Sequence, residues 1–160
     1  MAARPEEILN DSVVNITING KNIKAYSGDT ILDVTKRENI EIPHLCFKEG
    51  MRPDGNCRAC MVEIEGERAL QPSCVRTVMD GMIINTENNR VKHSQKLVLE
   101  LLTSDVSEKV YFKENELTLW SKKLNIKEKR FPVMIQDKHD STHPAIDVNL
   151  DACIQCTRCV

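Results

Sequence analysis

The chain has 160 residues, of which 41% are hydrophobic, 29% charged and only 4% aromatic, with a formal net charge of −2. That balance excludes a disordered tail and a basic nucleic-acid-binding surface, and it makes any core aliphatic. No run approaches the roughly 18 apolar residues of a membrane span, and the first fourteen residues contain no apolar core of a secretory signal, so a cytoplasmic protein is expected.

VVNITINGKNIKAYS opens as a hairpin. Val14, Ile16 and Ile18 alternate with polar residues, and Asn19-Gly20 supplies the positive φ angles of a two-residue turn before Ile23 to Tyr26 return. GDTILDVTKRENI then predicts a helix capped by Asp29 or Thr30, with Ile31, Leu32 and Val34 on its apolar side. From His44 to Asn56 the breakers Gly50, Pro53 and Gly55 predict a loop. CMVEIEGERAL predicts a second hairpin around Gly66, and GMIINTE a last strand. Val91, Val98, Leu101 and Leu102 predict an amphipathic helix, and Leu117, Trp120 and Leu124 a further one. Residues 127–143 turn polar and carry Pro132, which predicts a linker.

Two hairpins around one helix predict an α+β fold: a β-grasp domain over 12–87, a helical segment over 88–126, the linker over 127–143 and a terminal cysteine motif over 144–160.

The seven cysteines are an odd number, and in a reducing cytosol such clusters bind metal or carry redox chemistry more often than they form disulfides. Cys46, Cys57, Cys60 and Cys74 are spaced C-x10-C-x2-C-x13-C. One close pair and two lone thiols suit a [2Fe–2S] cluster, whose two irons take four thiolates. Gly55 and Ala59 would let backbone amides approach the sulfurs. A four-thiolate zinc site remains the alternative. Cys153, Cys156 and Cys159 repeat at two-residue intervals, the beginning of the run C-x2-C-x2-C-x3-C-P, and could hold three corners of a [4Fe–4S] cubane. The fourth ligand of that cubane and the next cysteine of the run are absent, so the motif reads as truncated and the chain as the N-terminal piece of a longer subunit. Lone histidines are weak signals. His93 reads as a helix-surface residue, His139 and His143 as surface linker residues, and the KEKR run at 127–130 as a solvated loop.

PHLCFKEGMRPDGNCRACMVEIEGERALQPSCVRTVMDGMIINT resembles the [2Fe–2S] ferredoxin-like domain at the N-terminus of large redox subunits: the complex I iron–sulfur subunit, [FeFe]-hydrogenases and NAD-linked formate dehydrogenases. The resemblance implies that Cys46, Cys57, Cys60 and Cys74 are its four cluster ligands. Many relatives carry a His and three Cys in the following segment for a [4Fe–4S] cluster. Here LVLELLTSDVSEKVYFKENELTLWSKKLNI contains neither residue type. With HPAIDVNLDACIQCTRCV, this departure is similar to the N-terminal region of the formate dehydrogenase alpha subunit. That family implies an electron-transfer module serving formate oxidation to carbon dioxide, and a flavin- and NAD-binding diaphorase-type partner subunit. It also implies a molybdenum or tungsten pterin in the remainder of the chain. The alternatives are the iron–sulfur subunit of a complex I-like or hydrogenase diaphorase complex, or a stand-alone [2Fe–2S] ferredoxin. No catalytic centre is expected within the 160 residues, and neither nucleic acid nor a membrane span is expected as a partner.

Overall fold

The computed structural model describes residues 12–106, 115–126, 130–133 and 140–159. His139, residues 127–129 of the KEKR run, and Val160 lie outside these described residues. The chain divides into two compact units, one formed by the stretch up to Ile42 together with Cys60–Lys92, the other by Pro43–Ala59 and the stretch from His93 onward.

In the first unit, β1 (Val13–Ile18) and β2 (Lys21–Tyr26) pair antiparallel from Val13↔Tyr26 to Ile18↔Lys21. Asn19 at φ 51° and Gly20 at φ 81° make the turn, as the Asn-Gly dipeptide predicts. Ile16 and Ile18 on β1, and Ile23 and Ala25 on β2, are buried on one face, the period-2 pattern of a strand pair with one wet side.

Helix α1 (Ile31–Arg37) starts at Thr30, which forms a capping box: its hydroxyl accepts from Asp33 N–H at 3.2 Å, and its own N–H donates to the Asp33 carboxylate at 3.1 Å. The helix's first amides would otherwise be orphans. Ile31 N–H donates to the Arg76 carbonyl at 2.9 Å and Leu32 N–H to the Ser73 carbonyl at 2.9 Å. These two bonds fasten the turn that bears Ser73 and Cys74 to the start of the helix.

β3 (Met61–Ile64) pairs antiparallel with β4 (Gln71–Pro72), and β5 (Ile83–Asn85) lies antiparallel to β3 but parallel to β1. The sheet order is β2-β1-β5-β3-β4. The second hairpin is shorter than the sequence pattern suggests, because only Gln71 and Pro72 return to pair with Met61 and Val62. Ile18, Val62 and Ile84 are fully buried on adjacent strands.

In the second unit, residues 93–105 of α2 (Asn89–Asp105), α3 (Glu116–Lys123) and the loop Pro43–Ala59 share one hydrophobic cluster. Leu45, Cys46, Cys57, Ala59, Leu99 and Leu117 form its buried part, with Val98, Leu102, Trp120, Leu124 and Cys156 against it. Asn115 caps α3 by accepting from Thr118 N–H at 2.8 Å. Leu101, expected on the apolar face of α2, is 43% exposed, because the buried stripe runs through Val91, Gln95 and Leu99.

The stretch read as linker ends in a strand. β6 (Asp140–His143) pairs antiparallel with β7 (Ile146–Val148) across Pro144 and Ala145. All seven of these strand residues are exposed, and DSTH on β6 offers no apolar residue to match Ile146 and Val148 on β7.

Candidate metal centre

All seven cysteines lie outside any disulfide. In the loop Pro43–Ala59, Cys46 and Cys57 are 5% and 8% exposed. They are brought together reciprocally: Cys46 N–H donates to Cys57 Sγ at 3.4 Å, and Cys57 N–H to Cys46 Sγ at 3.5 Å. The local backbone explains this closeness. Gly55 and Arg58 adopt φ of 61° and 57°, so the chain turns tightly on both sides of Cys57, and Ala59 is fully buried where a larger side chain would intrude. The neighbouring Cys46 side chain pushes the Cys57 thiol well above its ordinary pKa and burial adds to the effect, while the backbone N–H groups of Ala59 and Cys46 oppose it. A bound cation acts in the opposite direction, favouring the thiolate.

Cys60 and Cys74 belong to the first unit and are also buried, at 1% and 0%. Cys60 leads into β3, and Cys74 follows β4. The Met61↔Pro72 pairing sets these two ends side by side, and Ser73 N–H donates to the Cys60 carbonyl at 3.0 Å. A turn closed by Val75 N–H and Arg76 N–H on the Pro72 carbonyl carries Cys74. The structure thus builds two cysteine pairs, each by local means. Among the described residues, no three His, Cys, Asp or Glu side chains converge as a ready cation site.

The terminal cysteines are more open: Cys153 and Cys156 are half-buried and Cys159 is exposed. Gln155 and Thr157 take φ of 53° and 63°, and Gln155 N–H donates to Cys153 Sγ at 3.3 Å. Three polar ties between residues about a hundred positions apart, and so invisible to sequence reasoning, fix this segment against the loop Pro43–Ala59 within the second unit, and a fourth, from Arg158 to Glu116, fixes it to α3. The Asn56 side-chain amide donates to the Gln155 carbonyl. Thr157 Oγ1 donates to the Asp54 carboxylate at 2.7 Å. The Arg158 guanidinium reaches the Phe47 carbonyl at 2.8 Å and Glu116 at 2.5 Å. His93 is exposed on α2, and His143 Nδ1 accepts from Ala145 N–H at 3.2 Å. His44, not singled out by the sequence, packs edge-on to Phe47 with ring centroids 5.9 Å apart.

A mixed five-stranded sheet with one capped helix, and with Cys60 and Cys74 buried beside its β3–β4 pair, defines a ferredoxin-like α+β fold. Residues 11–89 match the model of the 2Fe-2S iron-sulfur cluster binding domain family. The chain is 35% identical to the NADP-reducing hydrogenase subunit HndD of Solidesulfovibrio fructosivorans, in an alignment covering 92% of this chain and 27% of that protein. It is 31% identical to an NADH-quinone oxidoreductase subunit of Rhizobium meliloti, over 92% of this chain and 18% of the relative. The chain therefore spans between 18% and 27% of the length of these curated relatives. A crystal structure of an NAD+-reducing [NiFe]-hydrogenase in the H2-reduced state shares the fold with a TM-score of 0.81 at 24% identity, covering 92% of this chain and 64% of that one.

Proposed function

We propose that Cys46, Cys57, Cys60 and Cys74 hold a [2Fe–2S] cluster and that the chain serves as an electron-transfer module of an NAD(P)-linked oxidoreductase complex. The observation that carries this reading is the burial of all four cysteines, 0–8% exposed and outside disulfides, inside a stretch that matches a 2Fe-2S cluster binding family. The residues fit the group. Backbone amides already point at Sγ atoms, the donor chemistry that a negatively charged cluster requires, and the buried Ser73 hydroxyl next to Cys74 has no hydrogen-bond partner.

A bound [2Fe–2S] centre takes up and returns one electron at a time. The chain's own part is to supply four thiolates, exclude water through Leu45, Ala59 and Leu99, and set amide dipoles against the added negative charge. Cys153, Cys156 and Cys159 would provide three corners of a [4Fe–4S] cubane, with the fourth ligand from elsewhere. The proposed partner is a flavin- and NAD-binding subunit, a reading supported by relatives named as subunits of an NADP-reducing hydrogenase and an NADH-quinone oxidoreductase. Among the described residues, no helix is long and apolar enough to cross a membrane, and reduced cysteines suit the cytoplasm.

Within this class, formate dehydrogenase alpha subunit is the finer reading, supported by HPAIDVNLDACIQCTRCV and by the lack of His and Cys over 97–126. A molybdenum or tungsten pterin would then belong to the longer protein. The names of the relatives favour a second reading, the iron–sulfur subunit of a hydrogenase or complex I-type assembly. The test is a reductive titration of the anaerobically purified chain, followed by EPR of the native complex. Reversible uptake of about one electron by the first centre supports electron transfer, and no uptake leaves a structural metal module. Reduction of the native complex by formate, by hydrogen or by NADH alone separates the two finer readings.

A further inference from the structure

Ser73 lies between two of the proposed ligands, and its side chain has no local task. It is fully buried, and its Oγ has no hydrogen-bond partner in the structure. Its backbone is held at both ends, with N–H on the Cys60 carbonyl at 3.0 Å and C=O taking Leu32 N–H at 2.9 Å. A serine in a turn commonly accepts from an amide one or two residues on. Here the amides of Val75 and Arg76 both go to the Pro72 carbonyl, so that role is filled. The remaining buried side-chain atoms without a partner among the described residues are the Nε atoms of Arg76 and Arg158. Both guanidiniums are anchored by other nitrogens, on Glu67 for Arg76 and on Glu116 and Phe47 for Arg158. Ser73 has no such second anchor.

A buried hydroxyl without a partner is costly and calls for an acceptor. A hydroxyl offers one donor, and cluster sulfides and thiolates are acceptors. We propose that Ser73 Oγ–H donates a hydrogen bond to a sulfur of the iron–sulfur centre held by its neighbours Cys60 and Cys74, and so raises the reduction potential of that centre. The sign follows from charge. The reduced centre carries one more negative charge than the oxidised one, so a donor to sulfur stabilises the reduced form more. The inference rests on the [2Fe–2S] reading above.

The test compares wild type, Ser73→Ala and Ser73→Thr as the full chain, loaded anaerobically, with iron and sulfide counted first. Ser73→Ala is expected to load its centre and to titrate at a lower midpoint potential by EPR. Its Fe–S stretching frequencies should also shift less between H2O and D2O. Ser73→Thr keeps the hydroxyl and should stay near wild type. A loaded Ser73→Ala with the wild-type potential and the wild-type isotope shift overturns the inference and leaves the [2Fe–2S] reading intact. If alanine prevents loading, Ser73→Gly takes its place, and an unshifted potential again overturns the proposal. A wild-type chain that binds no cluster overturns both.

Discussion

Cys60→Ala, or Cys57→Ala, is expected to abolish the visible absorption and the reduced-state EPR signal of the first centre. The cost follows from stoichiometry and burial. Two irons need four thiolates, two on each, and removing one leaves an iron with a single thiolate beside its bridging sulfides. Cys60 is 1% exposed and Cys57 8%, so a water or a surface side chain has little access to replace the lost ligand. Cys159→Ala is the control: this thiol is exposed, belongs to the other group, and its loss should leave the first centre's spectrum unchanged. Survival of the spectrum in Cys57→Ala or Cys60→Ala would show the ligand assignment to be wrong.

Leu99→Ala is expected to destabilise the second unit by about 3 kcal/mol, read as a lowered midpoint in denaturant unfolding. Leu99 is fully buried on α2 in the same cluster as Leu45, Cys46 and Cys57. Truncation removes transfer energy and leaves a void that this small aliphatic cluster cannot readily fill. The functional consequence should follow from the packing. The loop Pro43–Ala59 has no regular secondary structure of its own and relies on that cluster for its conformation. The variant should therefore lose its iron faster than wild type under chelator challenge. Leu99→Met, which nearly conserves volume, should cost less than about 1.5 kcal/mol and keep the iron. Equal stability and equal iron loss in Leu99→Ala and wild type would contradict the packing account.

The parts of the fold legible in the sequence are those set by neighbouring residues. Asn19-Gly20 fixes its hairpin because both positions need positive φ, and Thr30 with Asp33 fixes the start of α1 because the capping box is complete within four residues. The parallel pairing of β1 with β5 was not legible, since Thr17 and Ile83 meet across 66 positions with nothing local to announce it. The β6–β7 hairpin is not legible for another reason: DSTH has no apolar residue, so the alternation of Ile146 and Val148 on β7 has no apolar partner strand to announce the pairing. At the candidate site, the spacing of the cysteines singled out four residues that the structure buries. The contributions of Ser73, Asp54, Asn56 and Arg158 depend on contacts or burial that spacing does not encode.

The central claim is that the first cysteine group carries an iron–sulfur centre rather than zinc. It is tested most directly on a chain with Cys153, Cys156 and Cys159 replaced by serine, purified anaerobically and assayed for iron, zinc and acid-labile sulfide. About two irons and two sulfides per chain, with a [2Fe–2S] EPR signal on reduction, is the predicted result. About one zinc per chain and no sulfide would contradict it and leave a four-thiolate structural site in its place.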